Sequence, residues 1–379
     1  MTETLGLYIH VPFCKSRCQY CGFYAVTKGD MGRYVDAAAA EMARFAPSFR
    51  DRRADTLYLG GGTPSALPKE ELSRLMAAVR AHFSIAPDAE ITMEMNPSDM
   101  TEAYLTAARD AGVNRLSVGV ESHDDRLLSA IGRRHTAKEA EQAVKRAFRL
   151  GFHNISIDLM YDLPRQRPED FEASLLWAMH LPITHLSVYS LIIEEGTPFA
   201  FQHARGRLPR PTEEESWAMY QAMCRIPPHY GMKRYEISSF ARKGKESRHN
   251  EKYWRLDDYL GIGPGAASRI GRVRRTNEGN LSAWEKSLFA GEDVPGEILH
   301  LNEAEDMEEY CFLHLRMLEG IDREAFRKRY GGDLERWYEK ELVWLRENRL
   351  ITDDGRRVAM TGRGEALGNV VFEKFLRSL

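Results

Sequence analysis

The sequence predicts an α/β fold, a barrel of parallel strands and helices followed by a smaller, mostly helical, winged-helix-like domain. Three observations predict it. Short apolar runs alternate strictly with longer amphipathic stretches through roughly the first 200 residues, the rhythm of βαβ units around a parallel sheet. Polar residues gather just after those runs, where the carboxyl ends of parallel strands form the working face of a barrel. After Arg205-Gly-Arg-Leu-Pro-Arg-Pro211 the rhythm changes, and the last third reads as helix, helix and hairpin.

The expected strands cover residues 7–11, 56–59, 90–95, 115–120, 154–159 and 185–191, with helices over 69–83, 102–111, 137–150 and 168–179 among them. These fill a barrel core over residues 1–211. A barrel extension over 212–300 follows. It contains a helix at 213–224, a strand-like piece at 234–240 and the Gly-rich run Gly261-Ile-Gly-Pro-Gly-Ala-Ala267. Residues 301–379 then read as the winged-helix-like domain. Its helices are expected over 303–318, 322–330 and 334–347, its hairpin turns at Asp353-Asp-Gly355, and a last helix starts at Gly364.

Composition narrows the function classes. The chain has 379 residues, 43% of them hydrophobic, enough for a large core. A net charge of -3 gives no whole-chain attraction to a polyanion. No apolar run approaches the ~20 residues of a membrane span, and the N-terminus lacks the layout of a signal peptide. Five cysteines, three of them within eight positions, argue against a secreted disulfide framework and for the reducing cytoplasm.

Those three cysteines, in Cys14-Lys-Ser-Arg-Cys18-Gln-Tyr-Cys21, are the strongest signal in the chain. They follow a strand directly, so their thiolates share one compact loop. Three thiolates leave one iron of a [4Fe–4S] cluster without a protein ligand, and an open coordination position marks a reactive metal site. The competing reading is structural zinc with His10 as fourth ligand, although such sites usually pair their cysteines in two separated hooks. Cys224 and Cys311 read as ordinary buried residues.

This spacing, with Tyr20 before the last cysteine, resembles the radical S-adenosylmethionine (SAM) superfamily. Further motifs narrow the resemblance to the oxygen-independent coproporphyrinogen III oxidase family. They are Tyr8-Ile-His-Val-Pro-Phe-Cys14, Gly60-Gly-Gly-Thr-Pro64, Glu94-Met-Asn-Pro97, Asn114-Arg-Leu-Ser-Val-Gly-Val-Glu-Ser122, Asp158-Leu-Met-Tyr-Asp-Leu-Pro164 and Tyr235-Glu-Ile-Ser-Ser-Phe-Ala241. His249-Asn-Glu-Lys-Tyr-Trp254 and Tyr259-Leu-Gly-Ile-Gly-Pro-Gly265 resemble its haem-chaperone branch, HemW.

The resemblance implies a partial (β/α)6 radical SAM barrel with a [4Fe–4S] cluster on Cys14, Cys18 and Cys21. It implies SAM contacts from Tyr8, Gly60, Gly61, Gly62, Thr63, Glu94, Glu121, Arg133 and Asp158. The glycines would let the backbone approach the SAM amino group, and Arg133 would pair with its carboxylate. His249 would ligate or orient haem iron, with Tyr253 and Trp254 offering flat apolar faces to the porphyrin. Three positions depart from the family pattern: Glu121 stands for Gln, Asp162 for Gly and Ala267 for the His of many relatives.

In this superfamily a reduced cluster gives one electron to SAM, releasing methionine and a 5′-deoxyadenosyl radical. Phe23 occupies the position of the decarboxylase branch's fourth cysteine, and the first strand begins within a few residues of Met1. Both favour a haem chaperone that passes haem to apo-proteins. The alternative is an enzyme that decarboxylates a porphyrinogen or opens a haem ring, coproporphyrinogen III dehydrogenase-like. Expected partners are haem or another tetrapyrrole, haem-accepting apo-proteins, a flavodoxin or ferredoxin as reductant, and a second copy of the chain in a homodimer. Nucleic acid is not an expected partner, because the arginines of the last domain are interleaved with acids, and stable membrane insertion is not expected because the apolar runs are too short.

Overall fold

The computed structural model describes residues 4–376. Six parallel strands pair in chain order: β1 (Thr4–Val11), β2 (Arg53–Gly61), β3 (Ser84–Met95), β4 (Arg115–Glu121), β5 (Ile155–Tyr161) and β6 (His185–Ser190). Most residues of β1 and β4 are buried regardless of parity, as expected of strands covered on both faces. The covering helices are α1 (Met31–Phe45), α2 (Lys69–His82), α3 (Glu102–Asp110), α4 (Asp125–Ala130), α5 (Ala137–Arg149) and α6 (Pro168–Met179). Their starts are written locally. Asp30, Thr101 and Asp124 each accept from a first-turn N–H, Thr136 and Glu139 form a capping box, and Pro168 sits in the first turn of α6.

After α7 (Pro198–Ala204) and α8 (Glu213–His229), the short strands β7 (Lys233–Arg234) and β8 (Ser239–Ala241) extend one edge of the sheet, β8 antiparallel to β6 and β7 antiparallel to β8. The strand expected over 234–240 is thus two short strands and a turn. The chain then crosses under the barrel through α9 (Arg248–Trp254) to the other edge. There β9 (Tyr259–Ile262) lies parallel to β1, followed by β10 (Ala267–Ile270), β11 (Val273–Asn277), α10 (Leu281–Phe289) and β12 (Gly296–His300). The sheet order is β12-β11-β10-β9-β1-β2-β3-β4-β5-β6-β8-β7, and its edges do not meet among the described residues, so the barrel is open.

The C-terminal part has its own hydrophobic core, drawn from α11 (Glu303–Arg316), α12 (Arg323–Tyr330) and α13 (Glu335–Glu347) with the small sheet of β13 (Ile321–Asp322), β14 (Ile351–Asp353) and β15 (Arg357–Met360). The expected final helix is broken into α14 (Gly362–Ala366) and α15 (Gly368–Glu373). Arg323 pairs with Glu335 and Asp353, Arg327 with Asp333, and Arg357 with Asp322, which leaves a mixed-charge surface there. None of the described helices is long and apolar enough to cross a membrane.

Two departures from the family pattern fall at left-handed backbone positions, Glu121 at φ 70° and Asp162 at φ 62°. Glycine enters that region freely, whereas other residues pay ~1–2 kcal/mol. Asp162 shares a hydrogen bond with Ser216, which offsets part of the strain. Ala267 opens β10 opposite Thr276 and does not line the cavity described next.

Candidate active site

Residues 12–26 form a loop closed at its base. Phe13 bridges Val26, the Cys14 N–H donates to the Val26 carbonyl at 2.9 Å, and the Val26 N–H donates to Pro12 at 2.7 Å. Its middle is stitched to the barrel top: Gln19 N–H donates to Ile131 and accepts, through its carbonyl, from Phe199 N–H. Cys14, Cys18 and Cys21 therefore stand on one anchored loop above a cavity of about 510 Å³, within the ~300–1,000 Å³ typical of small-molecule sites.

The Gly-Gly-Gly-Thr turn serves that loop. Gly62 N–H donates to Val11 and Thr63 N–H to Phe13, while Thr63 Oγ1 lies 3.3 Å from Cys14 Sγ. A Cβ on Gly62 would stand 2.8 Å from the Val11 and Phe13 carbonyl oxygens, and one on Gly61 2.6 Å from the His10 ring. Gly62 is thus required by close packing against the start of the cysteine loop, and Gly61 by the His10 ring of β1 and a φ of 106°.

Around the cavity stand three carboxyls, Glu121 buried and Glu94 and Asp158 half-buried. Glu94 accepts from Tyr58 OH at 2.8 Å and from Gly61 N–H at 3.2 Å, and burial pushes its carboxyl up to about 7. Asp158 is pushed up to about 8, by burial first and then by Glu121 and Glu94. Burial also raises Glu121, which accepts from Tyr189 OH at 2.9 Å and faces Arg133 at 3.7 Å. Arg133 donates to the Gly119 carbonyl and points Nη1 at Cys18 Sγ, 3.6 Å away. Its Nε is buried without a partner.

Both Glu94 and Asp158 titrate above their ordinary values, so each favours the folded state fully below about pH 4 and ceases to as pH rises through about 7 and 8. The melting temperature of ligand-free protein is expected to fall between pH 6 and 8.5, and Glu94→Gln to flatten the fall. Parallel melting profiles for the two proteins would refute this.

These residues suit the groups expected from the sequence. Three thiols face one cavity, and burial pushes Cys14 and Cys21 up, so metal binding there releases protons. Among the described residues no three His, Cys, Asp or Glu side chains converge on a single-ion site. A cluster instead takes each thiolate at a different iron. The zinc reading also loses its fourth ligand, because His10 lies against Tyr8 OH and the Tyr24 carbonyl through its two ring nitrogens. The carboxyls and the orphaned Arg133 Nε suit a ligand that is both cation and carboxylate, as SAM is.

Of the residues expected to bind cofactor, Gly61, Gly62, Thr63, Glu94, Glu121, Arg133 and Asp158 line the cavity with the three cysteines, whereas Gly60 and Tyr8 lie behind it. The haem residues are placed otherwise than expected. His249 is fully buried between β1 and β2, with Nδ1 2.8 Å from Thr56 Oγ1, Nε2 2.7 Å from Tyr253 OH, and its ring stacked on Tyr58 at 5.2 Å. Burial pulls its pKa down to about 3, so the ring is neutral here. Both nitrogens are committed and neither reaches the cavity, so direct iron ligation by His249 does not fit this geometry. Tyr253 packs on His249 and Tyr259, and Trp254 lies under the Arg316 guanidinium, so neither presents a face to the cavity.

The sequence reading missed Tyr58, Arg115, Ser117, Ser187, Tyr189 and Asn250, all on the cavity wall. A signal existed for most. Side chains two apart share a strand face, so Glu121 at the top of β4 predicts Ser117 and Arg115 below it.

The fold, the anchored cysteine loop and the acid-and-arginine cavity define the class, a radical SAM barrel. Residues 8–178 match the Radical SAM superfamily and residues 301–367 the HemN C-terminal domain. The solved structure of coproporphyrinogen III oxidase (HemN) from Escherichia coli, a radical SAM enzyme, superposes with a TM-score of 0.87 at 25% identity, covering 100% of this chain and 91% of that one. The heme chaperone HemW of Bacillus subtilis is 37% identical over 98% of this chain and 99% of its own. That of Lactococcus lactis is 35% identical over 97% and 96%. The chain belongs to the HemW family of radical SAM proteins.

Proposed function

We propose that the protein is a haem chaperone of tetrapyrrole metabolism, binding haem beside a SAM-loaded [4Fe–4S] cluster and passing it to apo-proteins. Phe23 carries this reading. It stands where the decarboxylases have their fourth cysteine, on the cavity wall and 68% exposed, with Ile192 at 66% on the same cavity. Large apolar side chains left in water at a cavity mouth mark a binding surface, and a porphyrin face is flat and apolar. Full-length similarity to proteins named heme chaperone supports the same reading.

When bound, the cluster and SAM supply one-electron chemistry that cleaves SAM. The chain's own residues hold and dry the site. Thr63 and Arg133 lie against the sulfurs of Cys14 and Cys18, Tyr58 and Tyr189 orient Glu94 and Glu121, and the raised carboxyls take a cationic ligand by giving up protons. Residues 301–379 would close over the bound tetrapyrrole, the reductant would be a flavodoxin or ferredoxin, and the protein would work in the cytoplasm, as a homodimer.

The test is anaerobic incubation of cluster-reconstituted protein with SAM, dithionite and coproporphyrinogen III, with mass spectrometry and a parallel haemin titration. Haemin binding, 5′-deoxyadenosine formation and an intact porphyrinogen are expected. Loss of two carboxyl groups from the porphyrinogen would make the protein a decarboxylase instead.

A further inference from the structure

The motif His249-Asn-Glu-Lys-Tyr-Trp254 begins a helix in which His249 and Tyr253, four apart, share the buried face. Asn250, one residue round, lies on the cavity wall, and its carboxamide has no hydrogen-bond partner among the described residues. The start of this helix is held by Glu90, whose carboxylate accepts from the N–H groups of Arg248 and His249 at 3.3 and 3.2 Å. Glu90 is also the nearest acid to Arg115, but only at 3.9 Å.

Arg115 is the anomaly. It opens β4, is 2% exposed and lines the cavity; its guanidinium makes no hydrogen bond to any described residue, and Nε is orphaned. A guanidinium keeps its charge when buried, and a buried charge without a well-placed partner costs several kcal/mol. Its neighbours do not settle the debt: Glu90 is engaged by the helix, and Asp158 titrates near 8 and so carries little charge at neutral pH.

We propose that Arg115 and Asn250 form a carboxylate-binding site in the wall of this cavity, and that His249 and Tyr253 are positioning residues that hold Asn250 there. Arg115 supplies the fork of N–H donors that a carboxylate matches, and the Asn250 amide supplies a further donor. This rests on the reading that SAM and a tetrapyrrole occupy the cavity. The carboxylate is then a haem propionate, because the amino-acid end of SAM would lie at the cluster beside Arg133, at the opposite end of β4 from Arg115.

Anaerobic titrations of haemin, haemin dimethyl ester and SAM against wild type, Arg115→Gln, Arg115→Lys and Asn250→Asp test the proposal. Arg115→Gln is expected to weaken haemin by about tenfold or more. Loss for haemin but not for its diester identifies the propionate, and SAM binding is expected to stay as in wild type. Arg115→Lys retains part of the affinity, and Asn250→Asp weakens the same ligand by charge repulsion. Unchanged binding of all three ligands to folded Arg115→Gln overturns the proposal, as does equal weakening of haemin and diester with SAM unaffected. If Arg115→Gln does not fold, Asn250→Asp decides by the same selectivity. Wild type that binds neither haemin nor SAM overturns the functional reading and this site with it, whereas failure of the site alone leaves wild-type binding intact.

Discussion

Cys18→Ala is expected to lose the cluster and, with it, all SAM cleavage above the level seen without protein. Two thiolates remain in the loop, one fewer than an open-iron cluster needs. The loss is chemical and local. The loop is held by backbone contacts at Val26, Ile131 and Phe199, and Cys18 is only half-buried, so the barrel folds without its sulfur. Iron content, visible absorption and 5′-deoxyadenosine yield measure the outcome. Cys224→Ser is the control. Cys224 sits on α8 beside Arg234, outside the cavity, and its iron content should equal wild type. A Cys18→Ala protein that keeps a full cluster would remove the assignment of the three ligands.

The largest expected effect on stability is at Asp306. It is fully buried at the start of α11 and gathers Arg269 from β10, Arg329 from α12 and the Tyr330 hydroxyl at 2.8 Å. Arg269 is 3% exposed and also pairs with Glu309 at 2.6 Å. Asp306→Ala strips the shared acceptor and leaves Arg269 and Tyr330 underbonded inside the protein. Breaking a buried pair from one side costs ~3–5 kcal/mol. The network joins the barrel sheet to the C-terminal helices, so the C-terminal transition should shift first in urea. Glu303→Ala, which removes an exposed partner of Arg272, should change stability by less than ~1 kcal/mol. A shift at Asp306 no larger than at Glu303 would show the network to be dispensable.

His249 shows where reading from sequence alone stops. The residues of its motif were legible, but helix phase was not. Seven residues present His249 and Tyr253 on one face and Asn250 on another, and nothing local says which face meets the cavity. The packing of α9 beneath β1 and β2 decides it: Thr56 and Tyr58 take the histidine, which leaves Asn250 to the cavity wall. Arg115 was legible in principle through its even, six-residue spacing from Glu121. Its lack of a hydrogen-bond partner was not, because that is set by Glu90 on a neighbouring strand, 3.9 Å away, and by the helix that Glu90 caps.

By itself the sequence determined the strand–helix alternation, the cysteine loop and the acids at the strand ends, since each rests on spacing within a few residues. Tertiary structure alone decided that Gly62 serves the cysteine loop, that Glu94 and Asp158 are raised to about 7 and 8, and that His249 is buried and neutral. Those outcomes depend on burial and on which distant side chains arrive at hydrogen-bond distance. Residues far apart in the chain supply both, and no local pattern encodes them.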